Sequence, residues 1–272
     1  MSDFLKGLGN FLGKFAHGPE VSDTITRAFT VAGTPTVIAH DTFGSMRVAT
    51  GGVGEVRVDA TRKARGITTD ATQADLEQLT VTFSQDGDTI RVDARATSPT
   101  VNLNRQVWCD LVLTVPAETH LDLKAEAGNV EVGATRGNRT AKVDAGNLEI
   151  RGGSGQIVAT VNAGNVSVSD ASVSGSSRLR VDAGQLVLGG SLADGASLDL
   201  RVNAGRIRLT LPASTSAHVE ASADIGSISI TGWNIPVVRN ITAARASGDT
   251  APNPRGTISA RVDIGDFAMI AG

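Results

Sequence analysis

Tyrosine is absent from this 272-residue chain, and cysteine occurs once. A single thiol excludes an internal disulfide framework. Aromatic residues make up 3% of the chain, which argues against the exposed ring platforms that carbohydrate-binding surfaces favour. Lys and Arg number 25 against 28 Asp and Glu, a net charge of −3. No basic footprint for nucleic acid results. No run approaches the ~18 apolar residues needed to span a bilayer. No basic region followed by a continuous apolar run opens the sequence, so no signal peptide is expected. The four histidines, His17, His40, His120 and His218, are scattered. No Ser/His/Asp or metal-ligand spacing joins them, so the expectation is no catalytic residue, no cofactor and no metal site. Cys109 alternates with Val107, Leu111 and Leu113, the pattern of a buried, unreactive thiol.

What the chain has in quantity is glycine, at 31 positions, and aliphatic residues within a hydrophobic content of 40%. One unit recurs: an acid or amide, a small residue, glycine, a polar residue and an aliphatic one. It reads Glu126-Ala127-Gly128-Asn129-Val130, Asp144-Ala145-Gly146-Asn147-Leu148 and Asn162-Ala163-Gly164-Asn165-Val166. It continues as Asp182-Ala183-Gly184-Gln185-Leu186 and Asn203-Ala204-Gly205-Arg206-Ile207, with looser copies around Gly226 and Gly265. From Gly128 to Gly226 the steps are 18, 18, 20, 21 and 21 residues, and the step to Gly265 is 39. A period near 20 with β-type residues predicts an all-β single-stranded parallel β-helix, a solenoid. The step of 39 reads as two turns with an inserted loop.

Apolar residues alternate on each side of every glycine, as in Val143 and Ala145, then Leu148 and Ile150. Each side is therefore a strand with one buried face. The glycines, Gly128, Gly146, Gly164, Gly184, Gly205, Gly226 and Gly265, are expected at corners needing positive φ or close backbone approach. Ala127, Ala145, Ala163 and Ala183 are expected to fill a narrow inner corner. Two residues before each glycine stand Glu126, Asp144, Asn162, Asp182, Asn203 and Asp224. Stacked ~4.8 Å apart, carboxylates would repel by roughly 0.9 kcal/mol per pair even in water. Alternation with Asn relieves this. The column is read as capping the bends through backbone N–H groups rather than as a cation stripe. Asn129, Asn147 and Asn165 read as an amide ladder.

The first 18 residues differ from the rest. Phe4, Leu5, Leu8, Phe11, Leu12 and Phe15 follow helical spacing, and Lys6 and Lys14 lie off that stripe. His17, Gly18 and Pro19 are stop signals. The expected arrangement is an amphipathic helix over 1–18 and a solenoid over 20–272. The helix has three readings: an in-plane membrane anchor, a cap on the solenoid end, or a self-association segment giving a homo-oligomer. Further along, residues 20–65 read as first solenoid turns and Asp70 to Leu79 as a short helix. Strands are expected around Asp86-Gly87-Asp88, as a hairpin or a tight corner, and over Val107 to Val115, and Ser247 to Gly256 reads as a loop tip.

The glycine-broken early strands, the apolar strand ending in Val115-Pro116, the repeated Asp/Asn-Ala-Gly units, and Leu211-Pro212 before a last Ile-Gly unit together resemble a known family. It is the bacterial putative-adhesin family of unknown function, also called the toastrack or LiaG-like domain, and the resemblance covers roughly residues 24–270. It implies a β-solenoid without known catalytic residues, often associated with cell-envelope stress systems. The resulting expectation is a non-enzymatic scaffold, cytoplasmic and peripheral to the inner membrane face, whose partners are the membrane surface and other proteins. The alternative is a bactofilin-like self-assembling filament module. A β-helical enzyme acting on polysaccharides is the remaining reading.

Overall fold

The computed structural model describes residues 18–96 and 105–272. It is all-β apart from one short helix, and its strands join in one mixed 21-stranded sheet. The middle of the chain supplies its regular part: β8 (His120–Ala127), β9 (Val130–Val132), β10 (Arg139–Ala145), β11 (Leu148–Arg151), β12 (Ser154–Gly155), β13 (Ile157–Ala163), β14 (Val166–Val173), β15 (Ser176–Leu192) and β16 (Ser197–Leu211). These follow β1 (Glu20–Thr30), β2 (Thr36–Phe43), β3 (Met46–Thr50), β4 (Glu55–Arg65), helix α1 (Thr69–Glu77), β5 (Leu79–Asp86), β6 (Thr89–Ala96) and β7 (Gln106–Val115). They precede β17 (Ala217–Ile225), β18 (Ile228–Thr231), β19 (Val237–Arg239), β20 (Ala244–Asp249) and β21 (Gly256–Ala271).

Two parallel ladders run through the regular part, one before the repeated glycine and one after it. Before it, β8, β10, β13, β15 and β16 pair in sequence, so that Ala125, Val143, Val161, Val181 and Val202 form one buried row. After it, Val130, Leu148, Val166, Leu186, Ile207, Phe267 and Ile228 stack, each at most 1% exposed. Burying each such side chain contributes roughly 1.5–3 kcal/mol. The core is therefore a pair of aliphatic columns, which explains how the chain folds with so few aromatic residues.

The ends depart from a uniform parallel helix. β1 pairs with β4, β4 with β7 and β5 with β6, all antiparallel, so residues 20–65 are not simply the first turns of a parallel stack. β1 is exposed on most of its length, and only Val21, Ile25 and Phe29 of its apolar residues turn toward the core, too sparse a row to extend the parallel stack. Asp86-Gly87-Asp88 does turn the β5–β6 hairpin, with Gly87 at φ 56°. Thr68 caps α1, its hydroxyl accepting from the Ala71 amide at 3.3 Å. At the far end β17 pairs with β20, and β20 with β19, again antiparallel. Ser247 to Asp249 thus belong to a strand, and only the rest of the expected loop tip is irregular.

The order of the last turns is also corrected. β21 lies between β16 and the β17–β18 pair, parallel to both. The glycine column accordingly runs 205, 265, 226 rather than in sequence order. The alanines are corrected too: Ala145, Ala163 and Ala183 are exposed while Val143, Val161 and Val181 are buried. The bend begins ahead of the glycine and breaks the alternation, turning acid and alanine outward together. In the last two turns of the stack Ile264 and Ile225 take the alanine position, 56% and 55% exposed.

The expected helix over 1–18 lies, but for Gly18, outside the described residues. Among the described residues no helix is long and apolar enough to cross a membrane.

Candidate functional site

The glycine column fixes the outer surface. Gly128, Gly146, Gly164, Gly184, Gly205, Gly226 and Gly265 have φ between 132° and 148°. A Cβ on any of them would lie 1.5–2.0 Å from the carbonyl oxygen of the glycine beneath. Only glycine meets both demands, since L-residues rarely adopt that φ and no side chain fits the gap. An eighth glycine belongs to the column: Gly44, at φ 141°, whose carbonyl lies under Gly128. Its surroundings, Thr42-Phe43-Gly44-Ser45-Met46, carry neither the acid nor the alanine of the repeat, so only the glycine and the apolar residue two later mark it.

Backbone capping at the corners falls to the residue after the glycine. The Asn129 Oδ1 accepts from the Asn147 amide at 3.0 Å and from its Nδ2 at 3.1 Å. The Asn147 Oδ1 serves Asn165 in the same way, and the Asn165 Oδ1 accepts from the Gln185 amide at 3.0 Å. The column two residues before the glycine, expected to cap, bonds side chain to side chain instead. Asn162 donates to Asp144 at 2.8 Å, and Asn203 to Asp182 at 3.0 Å. Two carboxylates adjoin at Glu126 and Asp144, where Lys124 and Lys142 each contact one of them, and at Asp224 and Asp263, where Arg261 contacts both, at 2.7 and 2.9 Å. Among the described residues no cluster of His, Cys, Asp and Glu is placed to hold a metal ion.

A second outer row stands four residues before each glycine. In register it reads His40, Lys124, Lys142, Thr160, Arg180, Arg201, Arg261, Ser222 and Arg245. The sequence carries it openly, as Lys142-Val143-Asp144-Ala145-Gly146 and Arg180-Val181-Asp182-Ala183-Gly184, but the net charge conceals it. Lys124 and Lys142 contact their own acids at 3.3 Å. Arg180 and Arg245 have no ion-pair partner among the described residues. The outer face is thus a cationic stripe beside an acid–amide stripe, its side chains ~4.8 Å apart along the stack.

Two ionisable groups lie inside. Asp41 is 1% exposed, flanked in register by Ala94 and Ala125, and neither carboxylate oxygen has a hydrogen-bond partner. Burial raises its pKa to about 8, Asp110 and Glu126 add to the rise, and the nearby Phe43 amide, outside hydrogen-bonding geometry, offsets part of it. Cys109 is buried, and burial pushes its thiol well above the ordinary range, as expected of an unreactive side chain. Arg139 is 2% exposed and its Nη1 donates to the Gly152 carbonyl at 2.9 Å, while its Nε and Nη2 lack partners. Burial lowers its pKa. Its register neighbours are Leu121 and Ile157. Arg139→Leu is expected to raise stability by about 1–4 kcal/mol, because an uncompensated buried charge gives way to an apolar residue in an apolar column. A rightward shift of the urea midpoint checks this; a leftward shift would show that the Gly152 contact outweighs the buried charge.

The described histidines stay apart. His40 lies 3.4 Å from Asp93 and 3.2 Å from Glu126. His120 Nδ1 accepts from the Asn138 amide at 2.9 Å. His218 Nδ1 meets Asp249 at 2.5 Å, and that bond raises its pKa. Phe4, Leu5, Lys6, Leu8, Phe11, Leu12, Lys14 and Phe15, the expected membrane-binding residues, lie outside the described residues.

No family model matches the chain, and no curated protein matches it. Among solved structures it is similar to a putative cell adhesion protein from Clostridium sporogenes, at 9% identity and a TM-score of 0.39, over 92% of this chain and 100% of that one. It is similar to a putative adhesin from Bacteroides fragilis, at 12% identity and a TM-score of 0.42, over 91% and 97%. A putative adhesin from Parabacteroides distasonis is similar at 10% identity and a TM-score of 0.34, over 94% and 98%.

Proposed function

We propose that the protein is a non-enzymatic β-solenoid scaffold, held at a membrane surface by residues 1–18, that presents its outer face to partner proteins. The observation that supports the scaffold is the glycine column, in which every corner rests on the carbonyl of the next. Such a column leaves no room for one turn to slide on another, so the side-chain rows keep their register. The membrane part rests on the apolar stripe of Phe4, Leu5, Leu8, Phe11, Leu12 and Phe15 with Lys6 and Lys14 off it. The filament alternative gains less support, because antiparallel ladders replace the parallel stack at both ends.

Hydrogen exchange read by mass spectrometry, with and without liposomes containing anionic lipid, tests both parts. Amides of β10 to β16 are expected to stay protected in either condition, and residues 1–18 to gain protection only on liposomes. Rapid exchange through β10 to β16 would sink the scaffold. Protection of residues 1–18 already in buffer, unchanged by lipid, would sink the membrane anchor.

A further inference from the structure

The cationic row runs into a cleft of about 530 Å³ on the outer faces of β16, β21, β17 and β20. Arg201, Arg261, Ser222 and Arg245 cross its floor on successive strands. Pro236 and Val238 form an aliphatic wall, with Val238 66% exposed. The volume falls in the range of specific ligand sites.

The charges in the cleft are unequally answered. Arg261 is held by Asp224 and Asp263, and Arg201 lies 3.5 Å from Asp199. Arg245 has no acidic partner among the described residues, although it shares the cleft with two other guanidinium groups. A guanidinium presents a planar fork that matches a carboxylate with two parallel hydrogen bonds.

The geometry points to an extended acidic peptide segment of a partner protein as the occupant, with carboxylates on Arg245 and Arg201 and an aliphatic side chain against Pro236 and Val238. This deepens the scaffold reading by giving its partner a chemistry. A densely charged polyanion fits less well, because Glu220 lines the same cleft and Asp224 and Asp263 hold Arg261 from the side. A neutral sugar fits less well, because no aromatic ring is among the described residues that line the cleft. A peptide with spaced carboxylates and an aliphatic residue, laid across the strands, meets the cations and the wall together, because Val238, Arg245, Ser222, Arg261 and Arg201 stand in one row.

The test is fluorescence anisotropy on the full chain with a labelled, end-blocked peptide Gly-Glu-Val-Glu-Ala-Glu-Gly and its glutamine counterpart. The acidic peptide is expected to bind at least tenfold more tightly than the glutamine one. Arg245→Gln combined with Arg201→Gln is expected to weaken it at least tenfold with an unchanged thermal midpoint. Arg151→Gln, at an arginine bound to Glu149 away from the cleft, is expected to leave binding as it was. Equal affinity for the two peptides, no binding at millimolar peptide, or undiminished binding by the double variant overturns the proposal. So does tripolyphosphate or trigalacturonate binding more tightly than the acidic peptide. Failure here leaves the hydrogen-exchange result untouched, so the scaffold and its partner chemistry fail separately.

Discussion

Gly164→Val is expected to destabilise the protein by about 2–6 kcal/mol. Two costs add. Holding a β-branched residue at φ 142° costs of order 1–3 kcal/mol. The new Cβ would also lie 1.8 Å from the Gly146 carbonyl oxygen, and forcing a packed neighbour aside costs about 1–3 kcal/mol. Gly146 rests in turn on Gly128, so the displacement cannot be absorbed locally. Since total stabilities run at roughly 5–15 kcal/mol, the variant should be largely unfolded at moderate urea. Gly195→Ala provides the comparison, because Gly195 has φ 74° but nothing within 4 Å of its Cβ position. It should lose only about 1–2 kcal/mol. Equal urea midpoints for the two variants would show that close approach contributes nothing and that φ alone selects glycine.

The same column shows what the sequence conveys and what it withholds. A glycine every 18 to 21 residues, with aliphatic alternation on both sides, is enough to place β8 to β16. It does not say which strand docks next on β16, because β17–β18 and β21 carry the same apolar pattern. Charge favours the observed order. Docked directly on β16, β17 would set Glu220 opposite Asp199 and Ser227 opposite Arg206. With β21 between, Ser259 separates the two acids, and Asp266 reaches Arg206 at 3.3 Å and the Ser227 hydroxyl at 2.6 Å. That information lies in the sequence, but only comparison of alternative registers extracts it. The amide ladder of Asn129, Asn147 and Asn165 is legible directly, because like amides satisfy each other at strand spacing. The cationic row is equally periodic, and its positions follow once the residue four before each glycine is seen to face outward. The antiparallel strands β1, β4, β5 and β6 have no repeat to announce them. Asp86-Gly87-Asp88 announces the β5–β6 hairpin, but the packing of β1 on β5 through Phe29 and Phe83, 6.5 Å apart between ring centres, is encoded by no local pattern.

Asp41 is where the repeat is broken from within, and its ionisation is expected to make stability fall as pH rises. Its register neighbours are Ala94 and Ala125, and the matching positions farther along the stack are Val143, Val161 and Val181. An aliphatic column here holds a carboxyl whose pKa is about 8 in the folded chain, against 3.8 for a freely solvated one. Between those values the folded state keeps a proton that the unfolded state has lost. Stability therefore declines across that window, by about 1.4 kcal/mol per pH unit at most, and about 5 kcal/mol is lost by pH 8. His218 acts in the same direction, since its raised pKa means that its contribution is present at low pH and lost as pH rises. Its side chain is 39% exposed against 1% for Asp41, so the larger effect belongs to Asp41. Asp41→Asn removes the titration while keeping the shape. Urea midpoints measured from pH 5 to 9 should fall steeply for the wild type and stay nearly level for Asp41→Asn, the two curves diverging above pH 5. A wild-type midpoint that holds level from pH 5 to 8 would mean that the carboxyl ionises at its ordinary pKa, and that water or a partner reaches it inside the stack.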